Sequence, residues 1–320
     1  MRVLVTGATG FLGRAVVKEM ARRGHEPVAL VRKPDSRVDS AILHTTGDLR
    51  DEGSLQHAVR GVDAVCHLAA LTRARESIAE PLAYWQTNVT GTLNLLSAMV
   101  GESPGRHPLK LVLASTCAVY DFSGGQAVTE QTPERPMTPY AATKLAADNA
   151  AAGAAATGML GAVSIRALNI GGAASGHGDS DPTRLIPRLL RSISDPAYRV
   201  RINGDGSAER DLVHVEDMAE AFGLALDACK TGEWSAYNVG SGTTYSIRAI
   251  IAAVRELTGR PVRAEHGPAQ PEPLVLAADS GRARRVLGWE PTRSNLRRII
   301  ADAWAAHCRS AGMSEANIPL

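Results

Sequence analysis

Tyr140 and Lys144 stand four residues apart in Tyr140-Ala-Ala-Thr-Lys144, just after Pro136 and Pro139. Those prolines mark the start of a helix, and on a helix positions i and i+4 share one face, with Cβ atoms about 5–6 Å apart. A phenol that titrates near pH 10 is a poor base at neutrality. An adjacent ammonium and one further positive charge would favour the phenolate, and a shift of about 3 units needs roughly 4 kcal/mol of differential stabilisation. Upstream, the apolar run Leu111-Val-Leu-Ala ends in the hydroxyls of Ser115 and Thr116. A hydroxyl at a strand's carboxyl end can hydrogen-bond the oxygen that a tyrosine titrates. Together these groups form a proton relay for alcohol–ketone interconversion. On its own the Tyr140–Lys144 pair also reads as an ordinary surface pair on a helix.

A second signal near the start of the chain argues against that plainer reading. The β-branched run Val3-Leu4-Val5 breaks into Gly7, Gly10 and Gly13, and a helical pattern comes at once after it. A strand, a glycine turn and a helix start leave backbone N–H groups and a positive dipole end aimed at one spot, which suits a pyrophosphate. The Gly-x-x-Gly-x-x-Gly spacing is wider at its first step than the Gly-x-Gly-x-x-Gly fingerprint. A nicotinamide dinucleotide held there would supply both the hydride acceptor and the further positive charge.

These residues need a scaffold, and strand-like and helix-like stretches alternate as it requires. Strands fit 2–6, 27–31, 42–45, 64–68, 109–115 and 162–167, with amphipathic helices near 12–23, 54–60, 78–100 and 140–157. Such alternation predicts a parallel sheet with helices on both faces and a site at the strands' carboxyl ends. Past residue 170 the texture changes. The stretch 171–181 has too little apolar content to pack and reads as a mobile loop, and prolines interrupt much of the remaining chain. The expected organisation is a dinucleotide-binding domain over 1–170 and a cap over 171–320 interleaved with it.

A formal charge of +2 with no long charged block gives no support to a nucleic-acid or membrane partner. The four cysteines, Cys66, Cys117, Cys229 and Cys308, have neither metal-ligand spacing nor a disulfide framework, so no metal is expected. No apolar run reaches transmembrane length and the first strand begins at residue 2, so the expected location is cytoplasmic.

Taken in order, Thr6-Gly-Ala-Thr-Gly-Phe-Leu-Gly13, Asp48-Leu49, His67-Leu-Ala-Ala70, Asn88-Val-Thr-Gly-Thr92, Ser115-Thr-Cys-Ala-Val-Tyr120, Tyr140-x-x-x-Lys144, Arg166-Ala-Leu-Asn169, Arg210-Asp-Leu-Val-His-Val-Glu-Asp217, Tyr237-Asn-Val-Gly-Ser-Gly242 and Leu287-Gly-Trp-Glu-Pro291 span nearly the whole chain. As a set they resemble the extended short-chain dehydrogenase/reductases, in the nucleotide-sugar epimerase/dehydratase branch. The resemblance implies an α/β fold, a Rossmann-type doubly wound parallel sheet with a smaller C-terminal α/β substrate-binding cap. It gives Thr116 the hydroxyl role, Tyr140 the acid/base role and Lys144 the ribose-binding role. Gly7, Gly10, Phe11, Leu12, Gly13, Leu68, Ala69 and Ala70 would surround the cofactor, with Asp48 and Leu49 beside the adenine and Asn88 near the nicotinamide. Ser115, Thr116, Asn169 and Arg210 would meet the substrate, a nucleotide-diphosphate sugar, and Asn169 and Arg210 its diphosphate. His67 and His214 read as structural. The resemblance also implies a homodimer built on the helices near 78–100 and 140–157, where an alanine-rich run permits close approach. The alternative is that this run packs on the protein's own sheet.

Three departures from the family pattern bear on function. Where NAD-using members carry an acidic residue after the second strand, this chain has Arg32 and Lys33, which would welcome a 2′-phosphate and favour NADP over NAD. Alternatively, Arg32 lies over the adenine ring. The acid–base pair that dehydratases place after the active-site threonine is replaced by Cys117 and Ala118, which can supply neither group and so argue against dehydration. Finally, a second diphosphate-binding arginine is expected shortly before Ala278-Asp279, and Ala269 stands at the matching place. The leading expectation is therefore a nucleotide-sugar epimerase of the 4-epimerase type. An NADPH-dependent ketoreductase of a keto-deoxy nucleotide sugar and a non-catalytic NADP-binding regulator are the alternatives.

Overall fold

The computed structural model describes residues 1–33, 42–102, 107–270 and 272–313. Its first half is the expected alternation: β1 (Arg2–Thr6), α1 (Phe11–Arg22), β2 (Glu26–Val31), β3 (Leu43–Thr46), α2 (Glu52–Ala58), β4 (Ala64–His67), α3 (Glu76–Ala79), α4 (Pro81–Tyr84), a π-helical stretch (Trp85–Thr90), α5 (Gly91–Glu102), β5 (Leu109–Thr116), α6 (Pro139–Ala156) and β6 (Leu160–Ala167). All six strands pair in parallel, with the order β6-β5-β4-β1-β2-β3. Chain order therefore reverses between β1 and β4, and a crevice opens at such a point beyond the strands' carboxyl ends. Five of these strands are buried nearly end to end, as a sheet covered on both faces requires, while β3 at the edge is mostly exposed.

The helix expected near 78–100 is present from Pro81 to Glu102 and is interrupted once, at Glu80. Pro81 comes after Glu80, whose φ and ψ of −125° and 51° are not helical, and the next stretch is wound as a π-helix. A proline lacks the N–H that would continue the preceding turn, so the helix is interrupted at Glu80, while α4, the π-helical stretch and α5 run on without a gap from Pro81 to Glu102.

The second half comprises β7 (Asn169–Gly171), β8 (Ala173–Ala174), β9 (His177–Gly178), α7 (Leu185–Ser194), β10 (Val200–Asn203), β11 (Glu209–His214), α8 (Val215–Ala228), β12 (Trp234–Val239), β13 (Thr244–Ser246), α9 (Ile247–Thr258), β14 (Ala264–Gly267), β15 (Val275–Leu276), α10 (Gly281–Leu287) and α11 (Leu296–Ala311). From this half β12 returns to the main sheet beside β6, making seven strands, and α8 packs on α1. A separate cluster formed by α7, α9 and α11, including Leu189, Ile250, Ile299 and Trp304, makes the cap's own core.

The stretch 171–181, expected as a loop, contains the small hairpin β8–β9. Ser175 (φ 50°) and Gly176 (φ 78°) make its turn, and a Cβ on Gly178 would come within 3.2 Å of the Ala306 Cβ on α11. Close backbone approach does the packing there, a contact that apolar content does not register. The alanine run of α6 divides between the two readings. Ala147, Ala151 and Ala155 belong to the core under the sheet, while Ala142, Ala146, Ala150 and Ala154 remain partly exposed.

Candidate active site

One cleft of about 2740 Å³ runs between the two halves and is lined by Gly10, Ala69, Thr116, Tyr140, Lys144 and Arg210 among others. At its base the glycine turn is built by close approach. Gly7 has φ +69°, and a Cβ there would lie 2.8 Å from the Ala69 amide, while one on Gly13 would meet the Gly7 carbonyl oxygen. Helix α1 starts at Gly10 with no side-chain cap, so its first-turn N–H groups keep their bonding capacity at the cleft wall. Those free donors fit a pyrophosphate.

The turn is tied to the rest of the site through buried hydroxyls. Thr6 Oγ1 accepts from the backbone N–H groups of Leu68 and Ala69, each at 3.1 Å, which commits its proton to His67 Nδ1 at 2.7 Å. His67 therefore carries its proton on Nε2 and donates to Thr92 Oγ1 at 3.0 Å, and Thr92 donates to the Asn88 carbonyl at 2.6 Å. The Asn88 side chain donates to the Leu71 carbonyl and to Thr143 Oγ1 (3.0 and 3.1 Å), accepts from the Leu71 amide (2.8 Å), and Thr143 donates to the Tyr140 carbonyl (2.7 Å). Asn88 is 2% exposed and does not line the cleft. It joins the elements around the site through these bonds.

Thr138 caps α6 and Pro139 opens it, which brings Tyr140 and Lys144 onto one face beside the end of β5. Burial is the largest influence on the Tyr140 phenol and holds it above its ordinary value, against the lowering effect of the neighbouring Thr116 hydroxyl, which also accepts from the Ala118 amide at 3.1 Å. Lys144 is buried, and desolvation pulls its ammonium down to about 8 against the upward pull of Asp148. Asp148 continues the same i, i+4 face and is buried, with Oδ2 accepting from Ser115 (2.8 Å) and from Arg166 Nε (3.0 Å). The hydroxyl of Ser115 is thus given to Asp148, although Ser115 lines the cleft. Arg166 also donates to Glu134 at 2.7 Å and lies over the Tyr120 ring, 4.9 Å from its centre. Sequence reasoning missed Asp148 and this buried pair, although its place one further i+4 step beyond Tyr140 and Lys144 was a usable signal.

At the far wall, Arg32 and Lys33 are exposed and line the cleft beyond β2. Asp48 is held by Arg50 through two side-chain bonds (3.1 and 3.0 Å), which lowers its carboxyl to about 2, and Leu49 is buried beside it. In the cap, Asn169 donates to the Asp211 carbonyl (3.1 Å), and Arg210 is buried, donating to Glu272 at 3.2 Å. His214 caps α8 through the Glu216 amide and meets Asp302 at 3.1 Å, so it fastens the cap. Cys117 is fully buried and burial pushes its thiol well up, which leaves it unreactive. Among the described residues no cluster of His, Cys, Asp or Glu suits a metal ion, and no helix is long and apolar enough to cross a membrane.

The family model described as "NAD dependent epimerase/dehydratase family" matches residues 3–240. The chain belongs to this family. It is 36% identical to a UDP-glucose 4-epimerase from Streptomyces lividans, over 96% of each chain. Among solved structures it resembles the UDP-glucose 4-epimerase of Stenotrophomonas maltophila with bound NAD and formylated UDP-arabinopyranose, with TM-score 0.89, 30% identity and coverage of 98% and 99%. It also resembles that of Brucella ovis in complex with NAD, with TM-score 0.87, 30% identity and coverage of 95% and 97%. The epimerase/dehydratase fold is therefore shared along the whole chain, cap included.

Neutral His67 gives the site a pH dependence of defined sign. Burial and the Lys144 ammonium hold its pKa at about 3, so the folded protein keeps it uncharged while the unfolded chain takes up a proton near pH 6.5. Its contribution is intact above pH 6.5 and is lost as pH falls toward 3, at about 1.4 kcal/mol per unit. Urea unfolding at pH 6.5 and 5.0 should show this as a loss of about 2 kcal/mol that His67→Gln removes. An identical acid loss in the variant would clear His67 of the effect.

Proposed function

We propose that this protein is a nucleotide-sugar 4-epimerase that oxidises a ring hydroxyl, lets the keto sugar turn in the cleft, and restores the hydroxyl with the opposite configuration. The observation that carries this reading is the meeting of Thr116, Tyr140 and Lys144 in the cleft that also holds the glycine turn. Relatives similar over almost the entire chain bear the name UDP-glucose 4-epimerase, which supports UDP as the nucleotide carrier.

In this reading Tyr140 takes the proton from the sugar hydroxyl and later returns it, while Thr116 holds the same oxygen by a hydrogen bond. A bound nicotinamide supplies the hydride acceptor and a positive charge beside the phenol. Burial otherwise keeps Tyr140 protonated, and the Arg184 charge opposes it; the nicotinamide charge and the Lys144 ammonium would add to that opposition. Lys144 also binds the cofactor ribose, and Asp148, anchored by Arg166, keeps a carboxylate one turn beyond it. Asn169 and Arg210 meet the diphosphate of the substrate. Gly7, Gly10, Phe11, Leu12 and Gly13 cradle the cofactor pyrophosphate, with Leu68, Ala69 and Ala70 on the opposite side.

The cofactor we propose is NAD. The two solved relatives carry it, and the expectation of NADP rests on Arg32 and Lys33 alone. We also propose a homodimer. Ile78, Leu82, Trp85 and Leu93 on α3, α4, the π-helical stretch and α5 are all exposed, and the partly exposed alanines of α6 continue the face. A second copy covering them would remove a sizeable apolar surface from water.

Three outcomes test the reading. Tyr140→Phe should lower kcat with UDP-glucose by about a thousandfold or more while retaining NAD binding. Full activity in that variant, or wild-type turnover that consumes NADPH stoichiometrically, would remove the epimerase assignment. In fluorescence titrations NADH should bind more tightly than NADPH, and the reverse order would restore the 2′-phosphate role of Arg32 and Lys33. Light scattering should give twice the 33.7 kDa chain mass, falling to one chain in the double variant Leu82→Glu, Leu93→Glu. A monomeric wild type would refute the dimer.

A further inference from the structure

We propose that Arg75 is the second cation of the substrate-diphosphate seat, completing with Arg210 and Asn203 a cradle that the Glu272 carboxylate fills until substrate arrives. The proposal rests on the epimerase reading, which brings a nucleoside diphosphate to Arg210. Its basis is the convergence of three donors from separate elements on one carboxylate. Glu272 Oε2 accepts from Arg210 at 3.2 Å and pairs with Arg75 at 3.6 Å, while Oε1 accepts from Asn203 Nδ2 at 2.8 Å. Arg210 lies on β11 and Asn203 ends β10, both in the cap, whereas Arg75 comes from the loop between β4 and α3 on the opposite side of the cleft.

Two guanidinium groups that reach the same carboxylate oxygen repel each other unless an anion lies between them. Arg210 feels this directly, since burial and the Arg75 charge both lower its pKa. Glu272 supplies one negative charge, and a diphosphate supplies more charge and more acceptor oxygens for the same donors. The side chain of Arg75 is 72% exposed, so its pairing with Glu272 is weak by itself, and the arginine can turn to an incoming ligand at little cost. The arginine expected at position 269 is thus replaced across the cleft, by a residue nearly two hundred positions earlier. Glu272 directly precedes Pro273, and the chain is pinned just beyond it where β15 pairs with β11. The carboxylate therefore stays close to the seat after it is displaced.

The test is calorimetric titration of the NAD-saturated protein with UDP and with dTDP, for wild type, Arg75→Gln, Arg75→Lys and Glu272→Gln. Arg75→Gln should weaken both nucleotides about tenfold, and Arg75→Lys should recover part of that loss. Glu272→Gln should bind both more tightly than wild type, because the competing charge is gone. NAD affinity should match wild type in all three. Unchanged nucleotide affinity in Arg75→Gln, or weaker binding in Glu272→Gln, would overturn the proposal and leave Arg75 a rim ion-pair partner and Glu272 a scaffold residue. A wild-type protein that binds neither nucleotide would bring down the epimerase reading, and the cradle with it.

Discussion

The hydroxyl of Thr6 has one proton, and where that proton goes governs much of the site. With two backbone N–H groups already donated to its oxygen, the hydroxyl can only donate onward to His67. This direction passes through the neutral imidazole to Thr92 and the Asn88 carbonyl. The Asn88 amide then reaches the loop after β4 and, through Thr143, the first turn of α6. The glycine turn, the β4 exit and the helix carrying Tyr140 are thus one hydrogen-bonded body. Buried polar groups are costly when unpaired, so each link constrains its neighbours. Rigid spacing between a dinucleotide cradle and a phenol is what a hydride-and-proton exchange at one carbon requires.

Electrostatics in the cleft divide into a dry side and a wet side. Beneath the phenol, Lys144, Asp148 and Arg166 are buried together, and taking these charges out of water is tolerable only because they neighbour one another. Across the cleft, Arg73 pairs with Asp181 and Arg184 with Asp179, and Arg184 also reaches Thr72, so partly exposed contacts link the loop after β4 to the cap. The first set keeps fixed charges around reacting groups. The second joins two halves that must admit a ligand between them, and exposed ion pairs are weak enough to exchange.

Local patterns carried most of the architecture. The six strands of the first half lie within two residues of their expected bounds, because β-branched apolar runs bounded by turns have few other uses. The Gly7–Gly13 turn and the Tyr140–Lys144 pair were legible for a similar reason, since each is a short-range arrangement set by helix or strand geometry. The break at Pro81 was visible as a residue but lost in a long amphipathic pattern. The hairpin at 173–178 was hidden altogether, because its packing depends on glycines that carry no hydrophobic signal.

Sequence by itself determined which chemical groups were available: a phenol, an ammonium and a hydroxyl next to a glycine turn, with no acid–base pair after Thr116 to eliminate water. Tertiary structure alone decided who meets whom. It gave the Ser115 hydroxyl to Asp148, turned Asn88 inward as a tie, and brought Arg75 to the carboxylate that Arg210 holds. The physical reason is separation along the chain. A helical turn sets contacts between near neighbours, whereas partners 33, 55 or 62 positions apart meet only when a sheet closes and its loops gather at one edge.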